Sequence, residues 1–212
     1  MQIKVREKLA YLVAAGAIGI VAATGFQGSD LKIGVVDISD VVEQSEFGKQ
    51  NQKDFTDMKA VREGILEFID TYRVLTNEQA LKLKELTLKP NASAAEKAEL
   101  DKLKADVIAS DKQNKLFAQK ASLTPEERTL MQDYAQRSQT MEQVAQRWFR
   151  DFTNDMQQWA DKQKAASIEK ARAAIQEVAK AAGYTIVLES GIAPYGANDI
   201  TQAALKAMNA KK

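Results

Sequence analysis

The chain has 212 residues, 30 Lys and Arg against 29 Asp and Glu, and neither His nor Cys. Ser-His-Asp and Cys-His nucleophile systems, zinc sites built on imidazole or thiolate, disulfides and lipid attachment at a cysteine are excluded together. The net charge of +1 indicates no general attraction to nucleic acid, and the low aromatic content, with Gly and Pro scarce through the middle, suits long helices rather than one large globule.

Lys4, Arg6 and Lys8 precede an uncharged stretch from Leu9 to Phe26, with small residues at Val21-Ala22-Ala23 and at Ala23-Thr24-Gly25. This is the order of an export signal: a basic start, an apolar run and a small-residue cleavage site. The alternative is an uncleaved membrane anchor, since the stretch sits at the lower edge of the roughly 20 residues that span a bilayer. Either way, residues 30–212 are expected outside the cytoplasm. Losing residues 1–26 removes three cations and one anion, which takes the net charge from +1 to −1.

The β-branched run from Leu31 to Val36 reads as a buried strand, and Asp37 as the cap of a short helix through Val41 and Val42 that ends near Ser45. Gly48-Lys49 lacks the upstream glycine of a phosphate-binding loop, so no nucleotide role is assigned to it. From there to Leu88 no Pro appears and the only Gly is Gly64, which predicts one long helix. Its seam is Met58, Val61, Ile65, Phe68, Tyr72 and Leu75, spaced alternately by three and four. A partner helix, from this chain or another subunit, must cover that stripe.

Lys89-Pro90-Asn91 breaks the helix. Ser93-Ala94-Ala95-Glu96 has the spacing of a capping box and opens a second helix to about Ala121. Thr124-Pro125-Glu126-Glu127 opens a third, running to Gly183 as a left-handed cap. At the helical rise these measure roughly 66, 44 and 87 Å, so out and return differ by roughly 23 Å if the first two are collinear. Whether the second helix extends the arm or folds against it is open at this stage. The third helix carries Trp148, Phe152, Met156 and Trp159 on its stripe with Phe149 beside it, then a narrow seam of Ile168, Ala171, Ile175, Val178 and Ala182.

The arm from 45 to 182 intersperses 23 cations with 22 anions, the pattern of a solvated surface rather than a nucleic-acid groove. Glu126 and Glu127 serve the helix start. No catalytic pair, cofactor or metal ligand is predicted; a carboxylate-only calcium site stays open in principle, though nothing matches an EF-hand loop. After Gly183 come a strand from Tyr184 to Glu189, a turn at Ser190-Gly191, a short edge strand over Ile192–Tyr195, and a last helix from Asn198 through Leu205 and Met208.

The predicted architecture is therefore α+β and mostly α. A small β-containing oligomerisation body forms from residues 27–44 and 183–212, and a helical coiled-coil arm spans 45–182. Three strands and one helix bury little surface, so other subunits are expected to complete the body. Trp148, Phe149, Phe152, Met156 and Trp159 are wider than a two-helix seam requires. They are the candidate client contacts, with arm core as the competing role.

IGVVDISDVVEQSEFGKQ at residues 33–50 and AGYTIVLESGIAPYGANDITQAALKAMN at 182–209, around a long helical middle, resemble the Skp (OmpH-like) family of periplasmic chaperones. The resemblance implies a homotrimer whose β segments form a central body with three projecting arms. It also implies that unfolded outer-membrane β-barrel proteins are held there without ATP, and that no cofactor is used. Contact with a membrane surface stays open, as does a second function: a structural coiled-coil envelope protein anchored by its first segment.

Overall fold

The structure, a computed structural model, describes residues 31–211. The candidate export segment 1–26 lies outside them. The fold is α+β and mostly helical: β1 (Ile33–Val36), α1 (Ile38–Gln44), α2 (Glu46–Thr71), α3 (Asn77–Leu88), α4 (Ala94–Gln119), α5 (Pro125–Ala181), β2 (Ile186–Glu189) and α6 (Thr201–Ala210).

β1 and β2 pair in parallel, with Ile33 opposite Ile186 and Val36 opposite Glu189. Parallel neighbours need a long crossover, and here the whole helical middle is that crossover. Asp37 closes β1: its Oδ1 accepts the Asp40 N–H at 2.9 Å and its Oδ2 the Ser190 hydroxyl at 3.0 Å, while its own N–H donates to Thr201 Oγ1 at 2.9 Å. The Asp40 N–H first, and Ser190 next, hold the Asp37 carboxyl below its ordinary pKa. α6 and the inner end of α5 cover one side of the sheet through Val36, Val41, Ala171, Ala174, Ile175, Ile200, Ala204 and Met208. Of the narrow seam expected on α5, Ala171 and Ile175 enter this core, whereas Ala182 is exposed at the helix end.

The third strand expected over Ile192–Tyr195 does not form. The N–H groups of Ile192 and Ala193 both donate to the Glu189 carbonyl, at 2.9 and 3.1 Å, so the chain turns instead. The second edge of β1 takes a single bridge at Asp199: Val35 N–H donates to the Asn198 carbonyl, and Ile200 N–H to the Val35 carbonyl, both at 2.8 Å. The approach to β1 is close enough that a Cβ on Gly196 would lie 2.3 Å from Val35 Cγ2. A ladder of side chains has no room there, and Pro194 has no N–H to give one.

The single helix expected from Gly48 to Leu88 is two helices. α2 stops at Thr71, and Thr76 opens α3 with a capping box: its hydroxyl accepts the Gln79 N–H, and the Gln79 side chain accepts the Thr76 N–H. The break is held from across the arm, where Arg137 Nη1 donates to the Val74 carbonyl at 3.2 Å. The capping boxes expected at Ser93 and Thr124 are both present, and Gly183 is left-handed at φ 71°.

The path through the arm follows from cross-contacts. α2 and α5 run antiparallel, from Asn51 beside Ser167 to Val74 beside Arg137. α3 then doubles back, which brings Lys84 over the rings of Trp148 and Phe152. α4 goes outward again: Glu99 pairs with Lys82, Lys104 lies over Phe68, and Gln113 meets Tyr134. At the helical rise, two outward legs of about 39 Å less a return of about 18 Å leave a net of about 60 Å. α5 from Pro125 to Ser167 covers about 65 Å, so the apparent excess is the doubled-back α3.

This thickening changes the burial pattern. Val61, placed in the seam by its spacing, is exposed, while Ile69 is fully buried beside Ile65. A helix packed against several neighbours buries a broad face with the ordinary 3.6-residue period, not a two-helix heptad stripe. The resulting core runs through Ile65, Ile69, Leu75, Leu83, Val107, Tyr134, Met141 and Val144 to Trp148 and Phe152.

Candidate functional site

The five candidate contact residues separate into two groups. Trp148 and Phe152 are core: they are 5% and 3% exposed, and the Lys84 ammonium sits 5.0 and 5.3 Å from their ring centres. A cation over the ring faces supplies an electrostatic contact where α3 crosses them. Phe149, one residue further and about 100° round the helix, is 62% exposed. Met156 and Trp159 are half-buried.

Phe149, Met156 and Trp159 share a surface channel between α2 and α5. Its middle section, about 250 Å³, is walled by Phe55, Leu66, Phe149, Phe152 and Met156. Toward the outer end a hollow of about 440 Å³ continues it, sharing Leu66 and Phe149 and adding Ala145. Toward the base a hollow of about 590 Å³ shares Phe55 and adds Trp159 and Val42, with Asn51, Gln163 and Ser167 as its polar floor. The Phe55 and Trp159 rings meet with centroids 6.1 Å apart and planes tilted by 32°. Shared walls make the three hollows one apolar groove along the α2/α5 pair.

Phe55 and Leu66 belong to this groove and were absent from the expected site. Phe55 lies three residues before Met58 and extends the same stripe by one step. Leu66 follows the buried Ile65 as Phe149 follows the buried Trp148. Both helices therefore carry a large apolar residue just off the core face, on the same side. That signal is visible only once the two helices are paired in register.

Among the described residues no group of three or more acidic side chains is placed to hold a metal ion, and no helix is long and apolar enough to cross a membrane. The depressed carboxyls elsewhere on the arm have structural causes. Glu96 is lowered to about 2 by Lys89 and by the Ser93 cap, and Glu127 is lowered by Lys120 and by the Thr124 N–H.

The model of the OmpH-like outer membrane protein family matches residues 32–208. The chain belongs to that family. The match begins at the residue before β1 and ends within α6, so it takes in both strands, the arm and the last helix. It is the family of periplasmic chaperones that the two ends of the chain resemble. No curated protein and no solved structure matches the chain.

Proposed function

We propose that this OmpH-like protein is an ATP-independent periplasmic holdase. It binds unfolded outer-membrane β-barrel proteins along the α2/α5 groove and keeps their β segments from pairing with one another. The observation that carries this reading is Phe149: a large aromatic side chain, mostly exposed, between two apolar hollows. The arm core packs on Trp148 and Phe152 next to it, so the exposed ring is free to serve a ligand. Exposed contiguous apolar surface of this kind marks a binding site.

In this reading residues 1–26 direct export, residues 27–44 with 183–212 form the oligomerisation body, and residues 45–182 form the arm. The body assembles as a homotrimer. Support comes from its sheet, which has two strands among the described residues and leaves Ile33 and Ile186 exposed, with Ile192 and Tyr195 exposed in the turn that follows β2. So small a sheet is marginal unless another surface covers it. Three arms around one client would turn weak single contacts into strong retention.

A urea-unfolded outer-membrane barrel protein diluted into buffer with the purified mature chain tests the reading by light scattering. Scattering should fall without nucleotide and reach its floor near about three chains per client. Unchanged aggregation at large excess would leave a structural envelope spacer as the function.

A further inference from the structure

The groove is not purely apolar, and its charges are unevenly committed. Of the three carboxylates that line it, Glu63 in the middle section pairs with Lys59 at 3.7 Å and Asp70 toward the outer end pairs with Arg73, while Glu43, at the base, has no cation within salt-bridge distance among the described residues. Its two guanidiniums, Arg62 in the middle section and Arg150 toward the outer end, have no carboxylate within salt-bridge distance among the described residues.

Arg62 is the more constrained of the two. Its Nη1 donates to the Met58 carbonyl of its own helix at 3.2 Å, its guanidinium lies 5.6 Å from the centre of the Phe152 ring, and its Nε is buried with no hydrogen-bond partner. A guanidinium held among aromatic walls and left without an anion costs free energy that an incoming carboxylate would return. Lys at this position would hold only a point charge, whereas Arg offers a planar fork matched to a carboxylate.

Resting on the holdase reading, we infer that the groove selects an extended, apolar client segment that carries one acidic side chain opposite Arg62. The length of the groove argues for a segment passing through. From Ala145 to Trp159 the α5 wall spans about 21 Å, the reach of six or seven extended residues at about 3.3 Å each. Apolar surface continues on both sides of Arg62, toward Phe55 and Trp159 and toward Leu66 and Phe149. The carboxylate therefore belongs to a side chain within the segment, not to a chain end. An unpaired cation in an apolar channel rejects a lysine at that place and loses a partner when the acid is replaced by its amide.

Fluorescence anisotropy of two labelled seven-residue peptides, alternating apolar and small polar residues and differing only in a central Glu or Gln, tests the assignment on the full mature protein. The Glu peptide should bind about tenfold more tightly. Arg62→Met, which keeps the packing on Phe152, should bring the two affinities together, and Arg62→Lys should keep part of the preference. Wild-type affinities within twofold of each other would overturn the inference and leave the holdase reading standing. So would binding of neither peptide by a protein that still suppresses client aggregation. Failure of both peptide binding and suppression would overturn the holdase reading itself. A concentration-dependent self-association removed by Arg62→Met would place a second copy of this chain in the groove and overturn the inference as well.

Discussion

Adding one methyl group at position 48 is expected to lower the melting temperature by about 5–10 °C. A Cβ on Gly48 would lie 2.0 Å from the Val42 carbonyl oxygen and 3.2 Å from Ser45 Oγ. The first of these is backbone and cannot rotate away. The corner is also fixed from within: buried Ser45 donates its hydroxyl to the Val42 carbonyl at 2.7 Å and accepts the Gly48 N–H at 2.9 Å. Gly48→Ala must open the joint between α1 and α2, where the body meets the arm, and overpacking of this kind costs about 2–3 kcal/mol even after the helix gain of Ala over Gly. Gly64→Ala is the control. Nothing lies within 4 Å of a Cβ there, and the substitution should stabilise the helix by about 0.5–1 kcal/mol. Thermal unfolding followed by circular dichroism at one fixed protein concentration reads both variants, since assembly makes melting concentration-dependent. Equal melting of the two variants would contradict the packing described for the corner.

Phe149→Ser and Trp148→Ala should have opposite signatures although the residues are adjacent. Trp148 is buried in the core cluster shared by α2, α3, α4 and α5, with the Lys84 ammonium over its ring, and emptying its site should cost about 3–5 kcal/mol. Phe149 keeps most of its surface in solvent, so its loss should cost less than about 1 kcal/mol. In the aggregation assay the order reverses. Phe149→Ser should need about tenfold more protein for half-protection, because the groove loses its central aromatic anchor. Trp148→Ala should protect normally at temperatures where it stays folded. If melting and protection fall together in Phe149→Ser, that residue is arm core and the groove is not the holding surface.

Much of the local architecture could be read from the residues because its signals are local. Asp37, Ser93, Thr124 and Gly183 each punctuate a helix end by a mechanism that needs only neighbouring residues. The turn at Thr76 escaped because Val74 and Leu75 continue the apolar pattern across it, and the cap that Gln79 makes with Thr76 shows only in the fold. Losing that turn hides the doubled-back α3, and with it the reason that Ile69 is buried and Val61 exposed. The edge strand at Ile192–Tyr195 fails for a different cause: the decisive contact is the close approach of Gly196 to Val35, which is long-range. The site divides along the same line. Periodicity gathers Trp148, Phe149, Phe152, Met156 and Trp159, but only the packing of α3 across the first and third of these separates core from groove, and only the pairing of α2 with α5 adds Phe55, Leu66 and Arg62.

The groove itself is tested most directly by photo-crosslinking from single positions during client capture. A photoreactive residue at position 149 should give abundant adducts with an unfolded outer-membrane protein, and one at Ile108, exposed on α4 outside the groove, should give few. Comparable adducts from both positions, or adducts from 108 alone, would contradict the assignment of the α2/α5 groove as the surface that holds the client.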